Sequence, residues 1–144
     1  MFNYVIDTNI VMSMLISGKS QYTKLLSYFD FVFPQYLLTE LDEYKGIVKE
    51  KTKLDDQQFQ KFCITVFSFL TVIPSIIVTQ KSLDYATKLC ELVDIKDISF
   101  VALSIETGFV LLTRDEKLCK GLKKAGYRDV MLFEDFLNDL YKMQ

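Results

Sequence analysis

The chain has 144 residues, a length that suits one domain with a substantial apolar core. Half of the residues are hydrophobic and the net charge is −2, which excludes a disordered chain and argues against duplex nucleic acid held by a basic surface. Three widely spaced cysteines form neither a zinc pattern nor a disulfide framework, and without a recognisable signal peptide we expect a cytoplasmic protein.

Short apolar segments alternate with helical patterns along the chain. In chain order the predicted elements are a strand over 3–6, a helix over 20–28, a strand over 31–33, helices over 37–51, 55–71, 81–93 and 98–105, a strand over 109–112, a helix over 116–125, a strand over 130–132 and a helix over 134–141. Gly108 and Gly126 are predicted to end the helices that precede them. This alternation is typical of a parallel sheet and predicts one three-layer α/β/α domain over residues 1–144.

The uncharged segment over residues 62–78 raises the question of a membrane span. A spanning helix needs about 20 mostly apolar residues, and this segment is shorter and contains Pro74. We therefore expect a buried helix that ends before Pro74, followed by a short strand or extended piece over 76–78, and no membrane span.

Two of the predicted strands lead into carboxylates. Asp7 directly follows the first strand, and Asp115 follows the strand over 109–112. The functional crevice of an open α/β sheet lies beyond the carboxyl ends of its strands, so we expect both acids at one site. Glu40 and Asp97, each near the start of a predicted helix, are expected to border the same edge.

Four carboxylates at one edge repel one another, and such a cluster is stable only when protons or a divalent cation neutralise it. The chain has no histidine, so oxygen ligands select Mg²⁺ or Mn²⁺, and covalent triad chemistry is excluded. Asp94, three residues before Asp97, is a further candidate ligand. The predicted chemistry is metal-assisted hydrolysis of a phosphodiester.

Each acid also has a structural explanation. Asp7 and Asp97 are compatible with ordinary helix N-caps. Thr113 and Glu116 fit a capping box in which Thr113 is the cap. Glu40 is compatible with a solvated acid in a first helical turn. Taken together, the order and spacing of the acids match successive strand ends, which favours a functional site.

The order of these motifs resembles that of the PIN domain. The resemblance rests on Asp7-Thr8-Asn9, on the acid after the second strand, on residues 94–103 and on the LLTRD sequence that ends at Asp115, and it covers essentially the whole chain. Residues 94–103 are similar to the corresponding stretch of stand-alone prokaryotic PIN proteins and of the broader VapC-like group. The resemblance implies a Mg²⁺- or Mn²⁺-dependent endoribonuclease for single-stranded RNA, often the toxin of a toxin–antitoxin pair, with an antitoxin as partner and a homodimeric assembly.

The resemblance also implies roles for individual residues. It implies an acidic quartet, made up of Asp7, Glu40, Asp97 and Asp115. Asn9 would orient Asp7 or a bound water, and Thr113 would hydrogen-bond within the site. Many family members have an acid two residues after the fourth acid, where this chain has Lys117.

Arg114 and Lys96 are the candidate RNA contacts, because each adjoins a candidate ligand. Two rival functions are kept open. One is a catalytically inactive PIN-like module that binds RNA or a protein. The other is a receiver-like or nucleotide-binding α/β domain, which would require two adjacent acids near the first strand and a lysine at the end of a late strand; neither feature is clear in this sequence.

Overall fold

A computed structural model describes residues 3–91 and 93–143 of the chain. The strands are β1 (Asn3–Ile6), β2 (Asp30–Pro34), β3 (Leu70–Ile73), β4 (Val110–Thr113) and β5 (Val130–Leu132). The α-helices are α1 (Thr8–Ser17), α2 (Ser20–Leu26), α3 (Tyr36–Lys51), α4 (Asp56–Ser68), α5 (Gln80–Cys90), α6 (Ile98–Thr107), α7 (Glu116–Lys124) and α8 (Phe133–Lys142). Two short 3₁₀ helices span Ser75–Ile77 and Ile95–Asp97.

The five strands form one parallel sheet in the order β3-β2-β1-β4-β5. β1 lies at its centre, where Val5 pairs in register with Val32 of β2 and Leu111 of β4. Val5 and Ile6 are fully buried, as expected for a parallel strand covered on both faces. The predicted α/β/α fold with a short central parallel sheet is confirmed.

Helix α6 packs across the centre of the sheet and contacts β1, β2 and β4. Residues Phe100 to Leu103 are buried, and the helix ends at Gly108, whose φ of 75° is accessible to glycine at little cost. Because Gly108 leads into the start of β4, the N-terminal end of α6 lies at the carboxyl edge of the sheet. This topology brings Asp97 to the edge where β1 and β4 end.

The opposite half of β1 is covered by aromatic rings. Tyr4, Phe29, Phe31 and Phe136, which we call the aromatic cluster, have ring centroids separated by 4.9 to 6.4 Å. Most of the pairs have edge-to-face geometry, which aromatic quadrupoles favour. The cluster joins β1 and β2 to α8 and anchors the amino-terminal half of the sheet.

The segment over 62–78 differs in part from its prediction. Its helix ends before Pro74 as expected, but already at Ser68, and only Val66 of α4 is buried, so the expectation of a buried helix is wrong. Leu70–Ile73 forms the edge strand β3. The predicted strand or extended piece over 76–78 is wrong, since Ser75–Ile77 is a 3₁₀ helix. β-branched residues in 71–73 favour pairing with β2, and Pro74 then ends the strand because it lacks an N–H. Within residues 3–91 and 93–143, no helix is long and apolar enough to cross a membrane.

Other element boundaries agree closely with the predictions. β1 and β5 have the predicted bounds, whereas β2 and β4 differ by one residue at their ends. The predicted helix over 81–93 ends at Cys90, and its residue 92 lies outside the described residues. Helix α1 was not among the predicted elements, because residues 8–17 are apolar on most sides and carry little helical periodicity.

Candidate active site

Asp7 is a buried carboxylate at the carboxyl end of β1, with only 5% of its surface exposed. Its Oδ1 accepts a hydrogen bond from the Thr8 backbone N–H (2.7 Å), which caps α1. Its Oδ2 accepts a hydrogen bond from the Thr113 hydroxyl (2.8 Å). The second bond follows from the sheet register, since Ile6 pairs with Leu112 and the next residues of β1 and β4 are therefore adjacent. Both carboxylate oxygens are thus held in fixed positions.

Thr8 links Asp7 to the helix that follows β2. The Thr8 hydroxyl donates a hydrogen bond to Glu40 Oε1 over 2.7 Å, and the Thr8 side chain is buried. Glu40 is therefore a half-buried, hydrogen-bonded acid rather than a solvated one. Thr8 was not among the predicted site residues. Its signal in the sequence is a hydroxyl directly after the strand-end acid.

Asp115 is the N-cap of α7, where its Oδ1 accepts a hydrogen bond from the Leu118 backbone N–H (3.1 Å). The predicted alternative of a capping box with Thr113 as cap and Glu116 reaching back is wrong. Thr113 is fully buried, and its hydroxyl oxygen accepts a hydrogen bond from the Asp115 backbone N–H (3.1 Å). The same hydroxyl donates a hydrogen bond to Asp7. Thr113 thus connects the first and the last acid, and Glu116 is exposed.

Asp97 and Asp94 differ in what their carboxylates do. Asp94 is exposed and accepts a hydrogen bond from the Lys96 backbone N–H (2.9 Å), which caps the 3₁₀ helix. Asp97 is half-buried at the N-cap position of α6, yet its side chain makes no capping hydrogen bond. The N-cap explanation therefore accounts for Asp94 and not for Asp97.

The charges of neighbouring acids contribute to the pKa values of Asp7 and Asp97. The pKa of Asp7 is raised to about 6, mainly by burial, against the lowering effect of its two hydrogen bonds and with further increases from Glu40 and Asp115. The pKa of Asp97 is raised to about 7, again mainly by burial and then by nearby acids, which are Asp7, Asp94, Asp115 and Glu40. Burial, Asp97 and Asp94 also raise the pKa of the Cys90 thiol to about 12. Extra negative charge is therefore unfavourable at Asp7, Asp97 and Cys90.

The structure thus brings the four predicted acids to one edge but does not assemble a finished coordination sphere. Among residues 3–91 and 93–143, no three histidine, cysteine, aspartate or glutamate side chains are close enough together to hold a metal ion. The chemistry of the donors nevertheless fits a hard divalent cation, because all are carboxylates and the charges of neighbouring acids help to raise the pKa of Asp7 and of Asp97. Binding a cation would require the other acids to move closer to the fixed Asp7 carboxylate.

The remaining predicted residues lie around this edge. Asn9 is exposed in the first turn of α1, and its side chain makes no hydrogen bond to Asp7. Arg114 is exposed and its guanidinium donates to the hydroxyl of Ser13 on α1, a contact that was not predicted. Lys96 is exposed between Asp94 and Asp97. Both cations therefore lie next to proposed acids and are accessible to a ligand.

This edge defines a carboxylate-lined site in a parallel α/β protein. The sequence over residues 5–134 matches the family described as the PIN domain, and the chain belongs to this family. PIN domains are typically nucleases that use divalent metal ions. No curated protein matches the sequence.

Solved structures share the fold. PAE2754 from Pyrobaculum aerophilum superposes with a TM-score of 0.68 at 16% identity, covering 98% of this chain and 90% of that chain. A toxin–antitoxin complex from Klebsiella pneumoniae gives a TM-score of 0.57 at 18% identity, with 89% and 95% coverage. VapBC2 from Rickettsia felis, bound to a DNA fragment from its promoter, gives 0.54 at 20% identity, with 91% and 97% coverage. At these identities the likeness concerns the fold.

Proposed function

We propose that the chain is a Mg²⁺- or Mn²⁺-dependent endoribonuclease that hydrolyses phosphodiester bonds in single-stranded RNA. The observation that carries the proposal is the buried Asp7 carboxylate, whose two oxygens are held by Thr8 and Thr113 beside Glu40 and Asp115. Burial of a carboxylate among other carboxylates costs free energy, which a bound cation offsets. A purely structural position would be filled at lower cost by a neutral side chain.

The proposed ligands are the acids of this edge: Asp7, Glu40, Asp97 and Asp115, with Asp94 as a further candidate. When bound, a divalent cation stabilises charge on a phosphate oxygen and activates water for attack on phosphorus. Thr113 is a positioning residue, because its hydroxyl fixes Asp7 Oδ2. Thr8 positions Glu40 in the same way. We assign to Asp97, whose carboxylate caps no helix end, the orientation of the attacking water.

Exposed polar residues around the acids would hold the substrate. Arg114 and Lys96, both exposed next to proposed acids, would bind phosphate oxygens beside the cleaved bond, and the exposed Asn9 would hydrogen-bond a substrate or water at the mouth of the site. The net charge of −2 gives the chain no general affinity for a nucleic acid backbone. Recognition would therefore depend on local contacts to an accessible single strand.

The structural neighbours support a proposal about partners. One neighbour is a chain of a toxin–antitoxin complex, and another is a chain of VapBC2. We propose that this chain is likewise a toxin, a single domain that forms a homodimer in the cytoplasm and is inhibited by an antitoxin protein. Co-purification of the chain with the product of a small adjacent gene, and loss of RNA cleavage in that complex, would test this part of the proposal.

The central test is cleavage of labelled single-stranded RNA with Mg²⁺, Mn²⁺ or EDTA. Wild-type protein should cleave only with the cation, and Asp7→Asn should abolish cleavage. Asp129→Asn is the matched control, since Asp129 is exposed just before β5, at the other edge of the sheet. Cleavage in EDTA, or full activity of Asp7→Asn, would overturn the proposal.

A second candidate function is an inactive PIN-like module that binds RNA or a protein. It is favoured by one observation, the lack of a preassembled group of three metal-binding side chains in the described part of the chain. Calorimetric titration with Mn²⁺ separates the two candidates. Binding that is lost in Asp7→Asn supports the nuclease, whereas no cation binding and no cleavage support the module.

A further inference from the structure

A cavity of about 320 Å³ lies next to the acids, beyond the carboxyl ends of β2 and β3. Pro34 and Ile73, the last residues of these strands, line it. We call it the side cavity. The carboxyl ends of parallel strands are where α/β proteins place their ligands, and the side cavity extends the proposed site along this same edge.

Helix positions tie the side cavity to the acids. Thr39 and Ser99 line it, and they lie one residue before Glu40 and two residues after Asp97. Tyr36 also lines it, and burial together with the charges of Glu40 and Glu43 raises the Tyr36 pKa. Tyr36 and Glu40 are four residues apart on α3 and are therefore neighbours on one helix face, so the side cavity borders the acidic edge.

The walls of the side cavity are neutral. No aspartate, glutamate, lysine or arginine is among its lining residues, so it offers no charged group to pair with a phosphate. Val78 and Leu103 give it apolar surface, and the ring of Tyr36 packs edge-to-face on Phe100 with centroids 6.5 Å apart. Its volume is at the small end of ligand pockets, about 300–1,000 Å³. A small, flat, uncharged group fits these properties better than an ion does.

Polar groups occur at defined points of this apolar surface. Gln35 Oε1 accepts the Ser75 backbone N–H (3.0 Å), which orients the amide and directs its Nε2 donor group to other partners. The hydroxyl of Ser99 lines another part of the wall. An apolar space with a few fixed hydrogen-bonding groups matches a nucleobase, which has apolar faces and a polar edge.

We infer that the side cavity receives one unpaired nucleobase of the RNA, next to the phosphate that is cleaved. The inference rests on the proposed function. The base stacks on Tyr36 and presents its edge to Gln35 and Ser99. The side cavity thus determines which nucleotide is placed beside the acids, and it explains selection of single strands, since a paired base is held within its duplex.

The test replaces nucleotides near the cleaved bond, one at a time, with abasic nucleotides. Stacking contributes roughly 1–3 kcal/mol per base. An abasic nucleotide at the position whose base enters the side cavity should therefore lower kcat/KM by about 5-fold to 150-fold. In Tyr36→Leu, intact RNA should be cleaved as slowly as that abasic RNA, with no additional loss for the abasic RNA. Tyr28→Leu is the matched control, because Tyr28 is an exposed tyrosine just before the amino end of β2, and it should keep the full abasic effect.

A second variant does not depend on the packing of Tyr36. Gln35→Ala removes an exposed side chain and should reduce the preference for one base over another by about 5-fold, the effect of one hydrogen bond of ~1 kcal/mol. Gln57→Ala, an exposed glutamine on α4, should leave the preference unchanged. Thermal unfolding of all variants verifies that they are folded.

The outcomes separate this inference from the proposed function. Cation-dependent cleavage with abasic effects of less than about 2-fold at every position would overturn base binding in the side cavity. The proposed nuclease function would remain intact. If wild-type protein cleaves no RNA, the nuclease fails, and binding of RNA that carries 2-aminopurine at successive positions then tests the side cavity. Fluorescence quenching by wild-type protein that Tyr36→Leu loses supports base binding, and equal quenching by both proteins overturns it.

Discussion

The two ends of β1 have opposite chemical surroundings. At one end Tyr4 packs into the aromatic cluster, and directly beyond the other end Asp7 is a buried carboxylate. Burial of a large apolar side chain stabilises the folded state by about 1.5–3 kcal/mol, whereas burial of a carboxylate near other acids destabilises it. The comparison indicates that one half of the sheet provides the stability that the other half requires.

The same comparison applies to hydrogen bonding. The aromatic cluster relies on non-directional packing, whereas Asp7 is held by two directed bonds from Thr8 and Thr113. Packing tolerates small shifts, but a carboxylate that must meet a cation needs a fixed position. The division of roles along β1 leads to four predictions that test it.

The largest expected effect is loss of stability from the aromatic cluster. Phe31 is 1% exposed, and Phe31→Ala should lower the free energy of unfolding in urea by about 3–5 kcal/mol. Tyr28→Ala, at a side chain that is 65% exposed, should change it by no more than about 0.5 kcal/mol. A loss below about 1 kcal/mol in Phe31→Ala would contradict the anchoring role.

The second prediction concerns two neighbouring acids at the opposite end. Asp97→Asn should lower RNA cleavage by about 100-fold or more, beyond the range typical of an outer-sphere partner. Asp94→Asn should lower it by less than about 10-fold, since the Asp94 carboxylate caps the Lys96 N–H. Single-turnover rates with saturating Mg²⁺ measure both. Equal losses would mean that Asp94 is as closely involved as Asp97.

The third prediction removes the hydroxyl that connects β4 to β1. Thr113→Val leaves Asp7 Oδ2 and the Asp115 N–H without their partner, which should cost about 1–3 kcal/mol of stability. Cation affinity should fall by about 10-fold to 100-fold, as for other outer-sphere partners of metal ligands. Thr71→Val, at an exposed position of β3, is the control. Unchanged Mn²⁺ affinity in Thr113→Val would exclude the positioning role.

The smallest effect is a pH dependence of stability without cation. The pKa values of Asp7 and Asp97 rise from 3.8 to about 6 and about 7 on folding, so the folded state binds these protons more tightly than the unfolded state. Their contribution favours folding below pH 3.8 and is lost as the pH rises through about 7.

In EDTA at pH 8, Asp97→Asn should therefore melt above wild type. The expected shift is about 2–4 °C, allowing for solvent screening of this half-buried group. At pH 4 the two proteins should have the same melting temperature. Asp129→Asn should behave as wild type at both pH values, and a melting temperature of Asp97→Asn at or below wild type at pH 8 would contradict the charge repulsion.

Much of the fold was predictable because apolar strands and helical stripes leave local signals. β1, β5 and the end of α6 at Gly108 follow from such signals. β3 was hidden within an uncharged segment that also fits a helix, since a short apolar run does not reveal its period. Its strand pairing with β2, a contact across more than 30 residues, decided the structure there.

For the candidate site, the sequence by itself determined which acids end strands or begin helices. That order identified Asp7, Glu40, Asp97 and Asp115 as candidates, and the lack of histidine limited the ligands to oxygen. Only the structure decided which carboxylates are already bound to backbone groups, since Asp7, Asp94 and Asp115 cap helix ends and Asp97 does not.

The tertiary structure also decided the link from Thr113 to Asp7 and the position of the side cavity. The physical reason is that strand register and helix packing join residues more than 100 positions apart, as in the bond between Thr113 and Asp7. Local sequence patterns carry the period of an element and its ends, but not its partners. The sequence therefore predicted the chemistry of this edge, but it did not predict the geometry.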